Sequence, residues 1–172
     1  TIYGMGLIMN VKIRDMNDSD WKRVSQIYED AIKIGKSTFS VACPTFEQWD
    51  ADHLKDCRFV LTVDDNVAGW CAISKTSSKK AYWGVVEESI YFDRAYQGMG
   101  YGTELLNHIC TESEKMGYWC LYACIFSNNL ISVNMHEKCG FRKFGTRENI
   151  AKDIFGMWQS TTLYEKRSKI IY

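Results

Sequence analysis

The chain has one proline, Pro44, only three histidines, and no surplus of either charge: 21 basic residues balance 21 acidic ones over 172 positions. A net charge of zero supplies no field to gather nucleic acid or an anionic membrane surface, so neither partner is expected. No apolar run approaches the roughly twenty residues that a membrane helix requires. There is no C-x-x-C. The seven cysteines, Cys43, Cys57, Cys71, Cys110, Cys120, Cys124 and Cys139, stand singly within apolar patterns. Their number is odd and no paired histidines complete a metal set. Reduced, buried thiols in a cytoplasmic protein without a metal are therefore expected. The opening T-I-Y-G-M-G-L-I-M-N has no charged leader region and is too short for a signal peptide. Residues 1–10 are expected to be disordered or extraneous to the fold, with one domain over 11–172.

What is present is 46% hydrophobic and 14% aromatic residues, enough for a single packed core and an aromatic-walled pocket. Val11 to Met16 reads as a strand. Asn17, Asp18 and Ser19 offer helix caps before Val24, Ile27, Tyr28, Ala31 and Ile32, which recur at helical spacing until Gly35. Thr45-Phe46-Glu47-Gln48 is a capping box for a short helix running to about Lys55. Arg58 to Val63 and Val67 to Ser74 read as a hairpin around Asp64-Asp65-Asn66, and a further strand is expected from about Ala81. A helix follows the glycines near residue 100, with Leu105, Leu106, Ile109, Cys110 and Met116 on one face and Gly117 at its end. Tyr118 to Ile125 reads as a strand, and Asn128 or Asn129 caps a helix reaching Cys139. Strands near Phe141 to Thr146 and Trp158 to Lys166 close the chain. Interleaved strands and helices without repeats predict a mixed α/β domain, a sheet flanked by helices.

The chemistry concentrates at V-V-E-E-S-I-Y-F-D-R-A-Y-Q-G-M-G-Y-G-T-E-L-L, Val85 to Leu106. A strand enters a glycine-rich turn and a helix leaves it, presenting bare backbone N–H groups and a helix N-terminus to an anion. The helix end adds roughly half a positive charge. A Walker loop is excluded because Gly102 is followed by Thr103 and Glu104 instead of Lys and Ser or Thr. The dinucleotide fingerprint is excluded because the glycines fall at 98, 100 and 102.

The spacing that fits is Gln/Arg-x-x-Gly-x-Gly/Ala, met by Gln97, Gly100 and Gly102. It resembles the acetyl-CoA pyrophosphate loop of the GCN5-related N-acetyltransferases. A second segment, N-N-L-I-S-V-N-M-H-E-K-C-G-F, is similar to the stretch that closes the cofactor site in that superfamily. Asn129, Ser132 and His136 share one helical face there. Val86, Glu87, Ser89, Ile90, Tyr91 and Phe92 match the strand of the phosphinothricin N-acetyltransferase-like subgroup. Further matches are Thr38-Phe39, Thr45 with Trp49, Gly69-Trp70, Ala81-Tyr82 and Gly156-Met157-Trp158. The resemblance runs from about residue 11 to the end. It implies a central mixed, mostly antiparallel sheet, acetyl-CoA as co-substrate, a small primary amine as acceptor, and a homodimer.

By the same resemblance, the backbone of Ile90, Tyr91 and Phe92 pairs with the pantetheine arm. The segment Gln97, Gly98, Met99, Gly100, Tyr101, Gly102 and Thr103 holds the pyrophosphate, and Asn129 and Ser132 line the opposite wall. An ammonium has no lone pair, so acetyl transfer to an amine needs a base, and Glu87 is the candidate. Its neighbour Glu88 is expected on the opposite face of the strand. His136 is the candidate proton donor to the departing thiolate, with a structural histidine as the equal alternative. Phe39, Lys79, Lys80, Tyr82 and Trp158 are candidate acceptor-pocket residues. The match departs at Ser77 and Lys79, where the subgroup carries Arg-x-Arg, and at Ile154 and Ser160, where it carries Lys and Asp. These departures remove the paired arginines that would grip a phosphinothricin or methionine sulfoximine acceptor and leave the acetyl-CoA motifs intact. Acetylation of a peptide N-terminus or a polyamine, and a non-catalytic acyl-CoA sensor, are the alternatives, although the basic Lys75 to Lys80 loop argues against a polyamine.

Overall fold

The structure is a computed structural model that describes residues 9–172. Of the ten opening residues expected outside the fold, eight lie outside the described residues. Asn10, by contrast, is tied to the Asp64 turn by two hydrogen bonds of 2.9 Å, its N–H to the Asp64 carboxylate and the Asp64 N–H to its carbonyl.

Strand β1 (Val11–Asp15) leads through a short turn into helix α1 (Trp21–Ile34). The Asp20 carboxylate holds that junction: it accepts two bonds from Arg14 at 2.7 and 2.8 Å and one from the Asn17 N–H at 2.8 Å. Gly35 ends α1 with φ +68°, the left-handed conformation that glycine adopts at least cost. Helix α2 (Phe46–Asp52) starts with the expected capping box, Gln48 N–H on Thr45 Oγ1 and Thr45 N–H on Gln48 Oε1. It ends at Asp52, sooner than expected.

Strands β2 (Phe59–Val63) and β3 (Asn66–Lys75) form the hairpin, with Asp64 and Asp65 both at positive φ in the turn. The next strand, β4 (Val85–Phe92), begins four residues later than the aromatic run from Ala81 suggested; Lys80–Tyr82 is a helical turn instead. Gly84 marks the boundary, because a Cβ there would stand 2.2 Å from the Trp119 ring. Helix α3 (Tyr101–Lys115), β5 (Cys120–Phe126), α4 (Leu130–Lys138), β6 (Arg142–Lys152) and β7 (Trp158–Arg167) complete the chain. Met116, expected on the buried face of α3, falls beyond its end and is exposed.

The strand order is β1-β2-β3-β4-β5-β7-β6, antiparallel at every neighbouring pair except the parallel β4–β5. Both faces are covered. Val60, Trp70 and Ala72 pack with Val24 and Ile27 of α1 and with Trp49 of α2. Leu61, Cys71 and Ile73 pack on the other side with Leu105, Leu106 and Ile109 of α3. Burial on both faces of β2 and β3 is why neither strand reads as amphipathic.

Candidate active site

The site originates in an incomplete strand pair. β4 and β5 share rungs only from Val85–Cys120 to Glu87–Tyr122. Beyond Glu87, β4 stays paired with β3 as far as Phe92, while β5 continues beside β7 as far as Phe126. The sheet therefore forks after Glu87, and the β5-facing edge of β4 is left without a strand partner. A cavity of about 1320 Å³ opens in the fork. Ile90, Tyr91 and Phe92 line it, so their unpaired backbone groups are available to an extended ligand. The Phe92 ring lies over Gly69, where a Cβ would come within 2.4 Å of it.

At the far end of β4 the chain turns into α3. Gly98 and Gly100 sit at φ +79° and +85°, and a Cβ on either would meet nothing within 4 Å. Their side-chain-free surface is open cavity wall. Gly102 has another role: its Cβ would fall 2.7 Å from Met135 Sδ, so it lets α3 and α4 approach closely. No side chain caps α3. The Thr103 and Glu104 N–H groups already bond the Gly100 carbonyl at 3.1 and 3.3 Å, and those of Gly98 to Gly102 have no acceptor among the described residues. Unsatisfied amides at a helix N-terminus are an anion cradle. Gln97, Tyr101 and Thr103 also line the cavity, whereas Met99 does not and points to solvent.

The opposite wall is α4. Asn129 is its N-cap, with Oδ1 accepting from the Ser132 N–H at 3.2 Å; its amide nitrogen has no partner among the described residues, and both residues line the cavity. His136 lies one turn further on and is 1% exposed. Its Nε2 is 2.7 Å from Glu88 Oε1, and its Nδ1 is 2.7 Å from the Ser132 carbonyl. An acceptor at each nitrogen favours the doubly protonated ring. Burial pulls its pKa down, but the Glu88 charge and hydrogen bond, with the Ser132 carbonyl, outweigh that and hold it above 6.5. Neither ring N–H is free to serve a thiolate, so the geometry favours the structural alternative for His136 over proton donation. Glu88 was the missed residue: it is 7% exposed, 48 positions from its partner, and its Oε2 has no bonding partner. Only the adjacency of two glutamates in a strand signalled it.

Glu87 occupies the last rung before the fork, between Ser74 of β3 and Tyr122 of β5. It lines the cavity, is half-buried, and makes no hydrogen bond or ion pair among the described residues. Burial raises its pKa above the usual carboxylate value and the Glu88 charge adds to the rise, against a smaller opposing pull from Arg147. Such a carboxylate binds a proton more readily than an exposed one. Phe39 also lines the cavity, its ring 4.5 Å from that of Phe126. Lys79, Lys80, Tyr82 and Trp158 do not. The first three lie in the exposed turn before β4, at the closed end of the fork. Trp158 is exposed beyond the last β5–β7 rung, with Lys152 Nζ 5.2 Å over its ring.

All seven cysteines are free, and burial pushes the Cys57 and Cys110 thiols up to about 12, which makes them poor nucleophiles. Among the described residues no group of His, Cys, Asp and Glu could hold a metal ion, and no helix is long and apolar enough to cross a membrane.

A forked sheet with an anion cradle at one end and an unpaired carboxylate at the other suits a phosphorylated, extended carrier with a proton transfer beside it, which are the needs of an acyl-group transferase. The acetyltransferase (GNAT) family model matches residues 21–141. The chain belongs to that family and is an acetyl-CoA-dependent N-acetyltransferase. It is 29% identical over 141 residues to a phosphinothricin N-acetyltransferase of Streptomyces viridochromogenes, covering 79% of this chain and 76% of that one. It is 24% identical over 163 residues to an L-methionine sulfoximine/L-methionine sulfone acetyltransferase of Pseudomonas aeruginosa, covering 91% and 94%. Its fold matches that of a GNAT superfamily phosphinothricin acetyltransferase from Sinorhizobium meliloti in complex with AcCoA, with a TM-score of 0.81, 21% identity, and 94% and 95% of the two chains covered.

Proposed function

We propose that the chain transfers the acetyl group of acetyl-CoA to the primary amine of a small amino-acid-like molecule, with Glu87 as the base. The observation that carries this reading is the unpaired Glu87 carboxylate at the base of the fork, on the same cavity as the β4 edge and the glycine turn. The free edge of Ile90 to Phe92 holds the pantetheine arm, the Gly98–Gly102 amides hold the pyrophosphate, and the Asn129 amide donates from the α4 wall. Glu87 takes a proton from the acceptor's ammonium, directly or through water. The freed lone pair forms the N–C bond as the C–S bond breaks, the electron pair leaves with CoA as the thiolate, and the second proton of the now cationic nitrogen passes to that thiolate, giving the neutral amide and CoA thiol.

The test is thiol release from acetyl-CoA with a panel of amines, against an enzyme-only blank for the seven cysteines. Release with methionine sulfone, methionine sulfoximine or phosphinothricin is expected. Release only with a short peptide or spermidine would replace the acceptor class. Silence with all amines, while acetyl-CoA raises the melting temperature, would leave an acyl-CoA sensor. Gly100→Ala should weaken acetyl-CoA binding, measured by calorimetry, because a methyl group would intrude on the cradle. Its left-handed φ should also cost about 1–2 kcal/mol of stability.

We also infer a homodimer in the cytoplasm. Phe155, Met157 and Trp158 expose 66%, 63% and 59% of their surface at the β6–β7 tip, an apolar patch suited to a second copy. The free thiols suit a reducing compartment. Sedimentation at several concentrations tests the dimer.

A further inference from the structure

The face of β5, β7 and β6 beside Glu87 carries two polar groups that the base and the cofactor walls leave unused. Thr161 is 1% exposed and lines the cavity, yet its Oγ1 has no hydrogen-bond partner. A buried hydroxyl is normally satisfied, so one left open on a cavity wall marks a place for a ligand's polar atom. Thr161 pairs with Phe126 on one side and with Arg147 on the other. Residues on one rung share a face, and Phe126 shares its face with Cys124 and Tyr122, hence with Glu87. The Arg147 guanidinium confirms the placement, with Nη2 3.5 Å from Tyr122 Oη.

Arg147, like Lys143, has no anion or carbonyl to hold among the described residues, and of the two only Arg147 shares a rung with Thr161. Arg142 pairs with Glu165, Lys152 lies over Trp158, Lys166 donates to the Cys139 carbonyl, and Arg167 donates to three carbonyls. Arg147 is exposed, makes no ion pair among the described residues, and touches only the Tyr122 hydroxyl at the long limit of a hydrogen bond. Its charge is nevertheless felt at both Glu87 and Tyr122, where it opposes the rise in each pKa.

We propose that Arg147 and Thr161 form the subsite for the acceptor's carboxylate, holding the acid so that the neighbouring amine faces Glu87. The guanidinium supplies a planar fork matched to a carboxylate, and the Thr161 hydroxyl donates one further bond from the buried side. The turn before β4 has only Ser77 and Lys79 at the positions of the subgroup's arginines, and it lies at the closed end of the fork; Arg147 is not itself part of the cavity wall, but it shares a rung with Thr161, which is. This proposal rests on the amine-acceptor reading of Glu87, and it makes the substrate class an amino acid bearing a free carboxylate.

Steady-state kinetics with methionine sulfone and its primary carboxamide test it. Both offer the same amine, but only one carries the negative charge. The wild-type protein should show a KM for the carboxylate about ten- to a hundredfold below that for the carboxamide. Arg147→Gln should raise the carboxylate KM to the carboxamide level, with kcat held within about twofold, and leave the carboxamide KM unchanged. Arg147→Lys should recover only part of the difference, because it restores the charge without the fork. Thr161→Val should raise the carboxylate KM by a smaller factor. An unchanged carboxylate KM in Arg147→Gln, or an equal rise for both acceptors, overturns the subsite while leaving acetyl transfer intact. Absence of turnover of either amine by the wild-type protein overturns the amine-acceptor reading itself, and the subsite with it.

Discussion

Replacing Glu87 with glutamine is expected to lower kcat about 10²- to 10⁴-fold while acetyl-CoA still binds as tightly as to the wild type. Glutamine preserves the size of the side chain on the last rung of the fork and removes only its ability to accept a proton. The contrast between rate and binding separates a base from a wall residue. A wall residue would weaken binding as well, and a sensor would show no rate to lose. The pH dependence follows from the direction of the shift. Burial and the neighbouring Glu88 raise the Glu87 pKa, and the active form is the deprotonated one. The acid limb of kcat/KM should therefore lie above the ordinary carboxylate value of 4.5, with activity rising as pH climbs through it. In Glu87→Gln that limb should vanish. An unchanged kcat, or a limb that survives the substitution, removes Glu87 from the chemistry.

Features set by near neighbours in sequence were legible before the structure. Gly98 and Gly100 take left-handed φ because no larger residue does so cheaply, and the spacing from Gln97 announces the turn. The Thr45–Gln48 box, the Asp64-Asp65 turn and the Asn129 cap are likewise local and were read correctly as element boundaries. Features created by packing were not legible. Ala81-Tyr82-Trp83 has strand-like composition, yet the strand waits until Val85 because Gly84 must pass beneath Trp119. Gly102 reads as a third phosphate-binding glycine, but its missing side chain makes room for Met135, which is remote in sequence. β6 extends to Lys152 although Arg147-Glu148-Asn149 shows no alternation, since its outer face meets solvent and its pairing with β7 breaks register between Arg147 and Ala151 before resuming. The acceptor pocket was read least well. Where β4 and β5 part decides which loops face the cavity, and no local pattern states that the last shared rung is Glu87–Tyr122. Lys79, Lys80 and Tyr82 consequently fell at the wrong end of the fork.

Glu88→Ala is expected to cost about 3–5 kcal/mol of folding stability, because it takes the counter-charge and the Nε2 partner from the buried His136 ring, which must then give up its proton in the folded state. The pair joins β4 to α4 across the fork, with side chains 4% and 2% exposed, so water cannot replace the missing carboxylate without opening the groove. Urea unfolding at several pH values measures the loss and checks its origin. The folded-state pKa of His136 lies above its ordinary 6.5, so the stability it contributes is fully present below 6.5 and is lost as pH rises through the folded value. In Glu88→Ala the imidazole is held neutral by burial, and that contribution should disappear, flattening the dependence on the alkaline side of 6.5. A second substitution at this position, measured for both stability and rate, bears on catalysis through a separate route. Glu88 is one of the two influences that raise the Glu87 pKa, so Glu88→Gln, which keeps the shape of the side chain, should move the acid limb of kcat/KM downward. A carboxylate that served only to brace α4 would change stability and leave that limb where it was. One that also conditions its neighbour must move both, and the two measurements on one variant decide between these roles.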